Sequence, residues 1–167
     1  KLFYDTLVFD TADAGVTATI NSVTTGFTVG GFAGTTTSVN FEHLTGSAFD
    51  DILTGDAGAN TISGAGGDDV LVATPGGDTL DGGAHGAGGD TADFGLAGPG
   101  VTVNLGGGVQ AVGGGIGNIT LINIENLTGS NFADDLTGNA GNNYLFGGDD
   151  EDTLQGGAGD DVLDGGN

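Results

Sequence analysis

The chain has 167 residues, of which 38 are glycine and none is cysteine, and its formal net charge at pH 7 is −22. This charge repels nucleic acids and anionic lipid surfaces but attracts cations, and the lack of cysteine excludes disulfides and thiolate metal sites. No apolar run approaches the ~20 residues of a membrane-spanning helix, and the opening KLFYDTLVFD is too short and too acidic for a signal peptide. We therefore expect no binding to nucleic acid and no insertion into membranes.

Residues 7–40 are the first predicted element, a run in which apolar and polar side chains alternate. The stretches GVTATI and TGFTV have the two-residue period of β-strands, and glycine-rich sequence such as GGFAGTTT separates strands as turns. We predict strands that continue, as wider coils without bound metal, the β-coil predicted for the next segment. Hairpins packed against the side of that coil are the alternative.

Residues 46–93 consist of a nine-residue repeat, in register GSAFDDILT, GDAGANTIS, GAGGDDVLV and ATPGGDTLD, followed by the longer copy GGAHGAGGDTAD. Each nine-residue copy has a glycine-rich turn, an acidic or amide residue at the sixth place and Leu or Ile at the eighth. Nine residues with so much glycine do not make a helix, whereas three suffice for a short strand and six for a turn. Alternating turns and strands predict a parallel β-solenoid of about 18 residues per coil, with the eighth-place side chains stacked inside.

The second half of the chain repeats both elements in the same order. Residues 92–123 alternate again, in GVTVNL and ITLINI, and residues 129–167 contain the copies GSNFADDLT, GNAGNNYLF, GGDDEDTLQ and GGAGDDVLD. We therefore predict an all-β chain of two long repeats, 1–85 and 86–167, that form one continuous solenoid. Both ends of the sequence fall within this pattern, so we expect a piece of a tandem array or a subunit that stacks on further copies.

The acidic residues of the repeat predict a metal ion. A nonapeptide that buries one Leu or Ile offsets too little of the entropy lost by nine ordered residues, and repulsion between the acidic groups adds to the deficit. Ca²⁺ takes six to eight oxygens from carboxylates and carbonyls, and glycine turns can aim their carbonyls at one point. We expect several Ca²⁺ ions, with these sixth-place ligands: Asp51, Asn60, Asp69, Asp78, Asp90, Asp134, Asn143, Asp152 and Asp161.

The coil length predicts which of these residues meet. Turns one coil apart lie above one another, so an ion between them would convert repulsion into a cross-link. The predicted stacks are Asp51 with Asp69 and (after the insertion) Asp90, Asn60 with Asp78, Asp134 with Asp152, and Asn143 with Asp161.

The copy GGAGDDVLD at 156–164 resembles the nonapeptide GGxGxDxUx, with U apolar, of the RTX (repeats-in-toxin) family, and the other copies match it less fully. The resemblance implies a parallel β-roll with calcium between its turns, type I secretion from a Gram-negative bacterium, and folding only outside the cell. It gives the ligand role most directly to Asp69, Asp78, Asp90, Asp152 and Asp161. It adds carbonyls of the glycine turns, which we assign to Gly64, Gly66, Gly147, Gly156, Gly157 and Gly159.

Some turns depart from the family pattern. Phe49, Phe132 and Asp150 replace the fourth-place glycine, and Asn60 and Asn143 replace the sixth-place aspartate. We expect the two Phe turns to bind calcium poorly or not at all, with each ring plugging an edge of the core. The two Asn sites should be weaker because each has lost a charge.

Two functions fit this sequence. The first is a calcium-binding structural repeat of a secreted bacterial surface protein, exposed on the cell surface and stacked end to end with other copies of itself into a filament, stalk or surface layer. The second is the C-terminal secretion and folding module of a type I-secreted hydrolase or toxin. The long period favours the first. We expect no enzyme, because the sequence contains no Ser–His–Asp arrangement, nucleophile elbow or HExxH motif.

Overall fold

The computed structural model describes residues 5–20, 29–30 and 41–167, and the strands predicted within 21–28 and 31–40 lie outside these residues. In the described part every regular element is a β-strand, and none of its segments is a helix that could cross a membrane. The strands are β1 (Thr6–Val8), β2 (Thr17–Thr19), β3 (Val29–Gly30), β4 (His43–Thr45), β5 (Ile52–Thr54), β6 (Thr61–Gly66), β7 (Val70–Val72), β8 (Thr79–Ala84), β9 (Thr91–Asp93), β10 (Thr102–Asn104), β11 (Val109–Ala111), β12 (Asn118–Ile122), β13 (Asn126–Thr128), β14 (Asp135–Thr137), β15 (Tyr144–Gly148), β16 (Thr153–Gln155) and β17 (Val162–Gly166).

These strands form the two walls of a coil. Sheet 1 has the order β1-β4-β6-β8-β12-β11, sheet 2 the order β17-β15-β13-β9-β7-β5-β2-β3, and sheet 3 the order β10-β14-β16. From β4 to β9, and again from β12 to β17, successive strands alternate between sheet 2 and one of the other two sheets. Neighbouring strands of the nonapeptide segments are parallel. The predicted all-β parallel β-roll is confirmed.

The eighth-place side chains form the core of the nonapeptide segments. Leu53 lies in register with Leu71 on sheet 2, Ile62 with Leu80 on sheet 1, and all four side chains are fully buried. Each full burial of such a side chain contributes about 1.5–3 kcal/mol, and stacking repeats that contribution at every coil. On the outermost strand β17, Leu163 occupies the same place but is 47% exposed.

The segments without nonapeptides contain both of the geometries considered from sequence. Strands β10 and β12 pair in parallel with β14 and β8, as rungs of the walls. Strand β11 pairs with β12 in antiparallel fashion, and β3 does the same with β2. These antiparallel strands lie at the edges of sheets 1 and 2.

The expectation that the Phe rings plug the core is wrong. Phe49 is 45% exposed and Phe132 is 43% exposed. The backbone N–H of each Phe donates to the serine hydroxyl two residues earlier, at 3.2 Å from Ser47 and 3.1 Å from Ser130. This bond forms a tight turn with the Phe at its tip, so the ring leaves the coil instead of entering it.

Equivalent strands of the two long repeats lie on opposite walls. The sequence FEHLTGSAFDDILTG, which contains β4 and β5, corresponds to IENLTGSNFADDLTG, which contains β13 and β14. Yet β4 belongs to sheet 1 and β13 to sheet 2, while β5 belongs to sheet 2 and β14 to sheet 3. One long repeat therefore advances the coil by an odd number of half-coils.

Candidate metal centre

The sixth-place residues of stacked turns are joined by a ladder of hydrogen bonds. The N–H of Asp51 donates to Oδ1 of Asp69, 18 residues later, at 2.8 Å, and the N–H of Asp69 donates to Oδ1 of Asp90 at 2.8 Å. The same bond joins Asn60 to Asp78, Asp134 to Asp152, and Asn143 to Asp161. The structure thus places together the residues that the coil length pairs.

The second carboxylate oxygen differs among these residues. In the described part of the chain, Oδ2 of Asp69, Asp90 and Asp152 is buried and has no hydrogen-bond partner. The side chains of Asp69 and Asp90 are almost completely shielded, at 1% and 0% exposure. A buried carboxylate oxygen without a partner is strongly unfavourable, so a proton or a cation must compensate it.

Backbone carbonyls of the next coil lie close to these unpartnered Oδ2 atoms. A Cβ added to Gly64 would contact Oδ2 of Asp69 and lie 2.7 Å from the carbonyl oxygen of Gly82. A Cβ added to Gly147 would contact Oδ2 of Asp152 and lie 2.9 Å from the carbonyl oxygen of Gly165. The first-place glycine thus leaves room between a carboxylate and a carbonyl oxygen. These hard oxygen ligands fit Ca²⁺.

The predicted carbonyl ligands are placed unevenly. The carbonyls of Gly64, Gly147 and Gly156 approach the first-place glycines of the preceding coil, beside Asp51, Asp134 and Asn143. Those of Gly82 and Gly165, which we did not predict, do the same beside Asp69 and Asp152. The carbonyls of Gly66, Gly157 and Gly159 are not among the nearest atoms at these places in the described residues.

Five turns are closed by the backbone N–H of their second residue, and we call them closed turns. The N–H groups of Ser47 and Ser130 donate to Oδ2 of Asp51 and Asp134, each at 2.5 Å. Thr74 donates to Oδ2 of Asp78 from its N–H at 3.1 Å and from its hydroxyl at 2.9 Å. In the two Asn turns, the backbone N–H of Asp56 donates to Oδ1 of Asn60, and the backbone N–H of Asn139 donates to Oδ1 of Asn143, each at 2.8 Å.

The remaining turns have a left-handed second residue, and we call them open turns. They span 64–69, 82–90, 147–152 and 156–161, with a second-place φ of 79° at Ala65, 97° at Gly83, 119° at Gly148 and 100° at Gly157. Ala65 pairs with Gly83 of the next coil, and Gly148 pairs with Gly166. The unpartnered Oδ2 atoms all belong to open turns.

A cation in these turns must use backbone ligands as well as carboxylates. Within residues 5–20 and 41–167, no three His, Cys, Asp or Glu side chains are grouped so that they could hold a metal by themselves. His85 lies at the surface, with Nδ1 2.8 Å from the carbonyl of Gly86 and Nε2 3.6 Å from Oε1 of Glu125.

The sequence did not reveal the part played by Asp68. Its carboxylate accepts the N–H groups of Gly86 at 2.7 Å, Gly88 at 3.0 Å and Gly89 at 3.0 Å. These bonds, led by that of Gly88, lower the pKa of Asp68. The longer copy at 82–93 is thus a loop wrapped around the carboxylate of the coil below. The only signal in the sequence was the length of that copy.

The calcium-free chain should be more stable near pH 5 than near pH 7.5. Burial raises the pKa of Asp69 to about 7 and also raises the pKa of Asp78 and Asp90 above the ordinary 3.8. A carboxyl with a raised folded-state pKa stabilises the fold below its unfolded pKa, and that stability is lost as the pH rises through the folded value. The loss therefore falls between about pH 4 and pH 7.

Far-UV circular dichroism of the chelator-dialysed chain at both pH values, which reports the fraction of the chain that is folded, tests this expectation. In excess calcium the dependence should reverse, because protons compete with Ca²⁺ for the same carboxylates. A calcium-free chain that is equally stable or more stable at the higher pH would contradict the prediction.

Comparison with known families agrees with this geometry. The model of the RTX calcium-binding nonapeptide repeat matches in four copies, over residues 41–71, 63–85 and 128–163. These segments contain both closed and open turns. The chain matches no curated protein.

Fold and site together define a parallel β-roll whose turns present oxygen ligands to a cation. The chain carries RTX calcium-binding nonapeptide repeats in both of its nonapeptide segments. The resemblance found in the sequence is confirmed. The repeat family has a structural, calcium-binding role and not a catalytic one.

Proposed function

We propose that this chain is a calcium-stapled structural segment of a secreted bacterial surface protein, and that it folds outside the cell. One observation carries the proposal, namely the buried and unpartnered Oδ2 atoms of Asp69, Asp90 and Asp152. Each lies beside a first-place glycine. Such oxygens destabilise the fold when ionised without a partner, and a hard cation removes that penalty.

Three pairs of oxygens would hold the ions. They are Oδ2 of Asp69 with the carbonyl of Gly82, Oδ2 of Asp90 with that of Asn123, and Oδ2 of Asp152 with that of Gly165. Each pair joins two coils. Bound calcium supplies positive charge that neutralises the aspartates and links one coil to the next. Without it, the net charge of −22 favours an expanded chain.

Mass action explains why folding would follow the calcium concentration. Extracellular calcium modules bind with a Kd of about 10⁻⁴–10⁻³ M. At millimolar calcium each such site stabilises the fold by about 0.4–1.4 kcal/mol, whereas at submicromolar calcium it contributes almost nothing. Three such sites together contribute about 1–4 kcal/mol, which decides the outcome for a chain that is only marginally unfolded without calcium. The chain would remain unfolded during export and fold at its destination.

End-to-end assembly is the second part of the proposal. Strand β17 is the outermost strand of sheet 2 and pairs with β15 on one side only. It exposes 56% of Val162 and 47% of Leu163, and an unpaired strand edge is a template for another strand. A further coil, from another copy or from the next unit of a tandem array, would cover these side chains. Head-to-tail contacts of this kind form filaments unless they close into a ring.

Circular dichroism under calcium titration tests the folding step. We expect little β-signal in excess chelator and a cooperative gain between about 0.1 and 1 mM calcium. Magnesium at the same concentrations is the control, because it requires a smaller octahedral shell and gives up its water reluctantly. A chain that is equally ordered in chelator would refute the proposal.

Electron microscopy and light scattering of the same samples test assembly. Filaments or large particles should form in calcium and disperse when chelator is added. Monomers that persist in millimolar calcium would exclude end-to-end stacking but leave the calcium-dependent fold intact.

A further inference from the structure

We propose that calcium enters only the open turns, and that the residue at the second place of each nonapeptide decides whether a turn binds calcium or closes on itself. This inference rests on the proposed calcium-dependent function. It removes Asp51, Asp78 and Asp134 from the set of ligands, although each has the sixth-place aspartate of the repeat.

The closed turns already satisfy the oxygen that calcium would need. Oδ2 of Asp78 accepts both the N–H and the hydroxyl of Thr74, at 3.1 and 2.9 Å, and Oδ1 accepts the N–H of Asn60 at 3.0 Å. The carboxylate of Asp51 also accepts three hydrogen bonds. Its Oδ2 accepts the N–H of Ser47 at 2.5 Å, and its Oδ1 accepts the Ser47 hydroxyl at 2.9 Å and the N–H of Val16 at 2.6 Å. Hydrogen bonds of this kind stabilise the charged carboxylate without a metal.

The donor hydrogen also opposes a cation directly. The second-place N–H points at the same Oδ2 that lies beside the first-place glycine, where the carbonyl of the next coil also converges. Its positively polarised hydrogen therefore lies on the side from which an ion would approach, and the two charges repel. Calcium could bind there only after the peptide group had turned away.

That reorientation is present in the open turns. Their second residue has a positive φ, a conformation that glycine adopts easily and other residues adopt with strain. Gly148 shows the requirement most clearly, because its φ is 119° and a Cβ there would contact the carbonyl oxygen of Ser130. The N–H is turned away from the carboxylate, and Oδ2 of Asp152 is left without a donor.

The determinant can be read from the sequence once this geometry is known. The second residue of the closed turns is polar and can donate or accept locally, namely Ser47, Asp56, Thr74, Ser130 and Asn139. The second residue of the open turns is glycine or alanine, namely Ala65, Gly83, Gly148 and Gly157. The sixth-place aspartate is therefore insufficient by itself for a calcium site in this chain.

Matched Asp→Asn variants separate this proposal from one in which every sixth-place aspartate binds. Asp69→Asn, in an open turn, should lose one calcium ion from the wild-type count. Asp78→Asn, in a closed turn, should keep the full count, because the carboxylate there accepts hydrogen bonds and holds no ion. Asp152→Asn and Asp134→Asn form a second matched pair, open and closed, on the same stack of turns.

Equilibrium dialysis against radioactive calcium gives the count, and far-UV circular dichroism in millimolar calcium confirms that each variant is folded. The proposal is supported if one ion is lost in the open-turn variant of at least one folded pair and none in its closed-turn partner. An ion lost from Asp78→Asn or Asp134→Asn, or no ion lost from folded Asp69→Asn and Asp152→Asn, would overturn it. If the wild-type chain binds no calcium, the proposed function itself fails.

Discussion

Replacing Gly64 by alanine should destabilise the calcium-bound fold by about 1–3 kcal/mol, the usual effect of forcing an extra methyl group into a well-packed site. The new Cβ would overlap Oδ2 of Asp69 and lie 2.7 Å from the carbonyl of Gly82. The carboxylate of Asp69 is held through its other oxygen, Oδ1, by the ladder bond from Asp51, and the carbonyl of Gly82 is part of the backbone. The methyl group would thus occupy the space between two proposed calcium ligands, so we also expect one ion to be lost.

Gly165→Ala is the matched control for this substitution. Gly165 has the same first place in its repeat, but nothing lies within 4 Å of a Cβ added there. Urea unfolding in excess calcium should show a lower midpoint for Gly64→Ala and an almost unchanged midpoint for Gly165→Ala. Equal midpoints for the two variants would show that the first-place glycine is not required by the oxygens around it.

Leu71→Ala should lower the free energy of unfolding by about 2–5 kcal/mol, as large-to-small changes in a protein core do. Leu71 is fully buried and stacks in register between Leu53 and Ala92 on sheet 2. Its small neighbour Ala92 cannot fill the space that would be left. Because typical stability is only about 5–15 kcal/mol, this variant should fold only at raised calcium concentrations.

Leu163→Ala tests the same eighth place on an exposed rung. Leu163 is 47% exposed, so its truncation in a monomeric sample should cost about 1 kcal/mol or less. Calcium titrations followed by circular dichroism give the midpoints for both variants. A midpoint shift as large for Leu163→Ala as for Leu71→Ala in dilute solution would contradict the buried ladder as the source of stability.

The fold could be predicted because its information is local and repeated. Each nonapeptide has an apolar residue such as Leu71 at the same place. The nine-residue period alone therefore predicts the strand, the inward direction of the side chain and the residue on which it stacks. The pairing of Asp51 with Asp69 follows from the same period. Even the insertion before Asp90 left the register intact, since Thr91 still pairs with Val70.

The state of each turn could not be predicted in the same way, because it depends on one backbone torsion and on the coil above. Asp69 and Asp78 have the same place in the repeat, yet only Asp78 accepts the N–H and hydroxyl of the residue four places earlier. The serine-held turns that place Phe49 and Phe132 outside the core are local side-chain to backbone bonds of the same kind. Such bonds occupy the oxygen that a metal would need, and composition alone does not show which turns form them.

Because one long repeat advances the coil by an odd number of half-coils, a tandem polypeptide would present equivalent side chains alternately on its two flanks. Phe49 and Phe132 occupy equivalent places in the two long repeats and are similarly exposed, but they project from opposite flanks of the rod. Further units would alternate in the same way, since successive units would be related by an approximate two-fold screw axis. A ligand that binds this aromatic side chain would therefore find it on every second unit along one flank. Two such ligands could bind the rod from opposite sides at the same time.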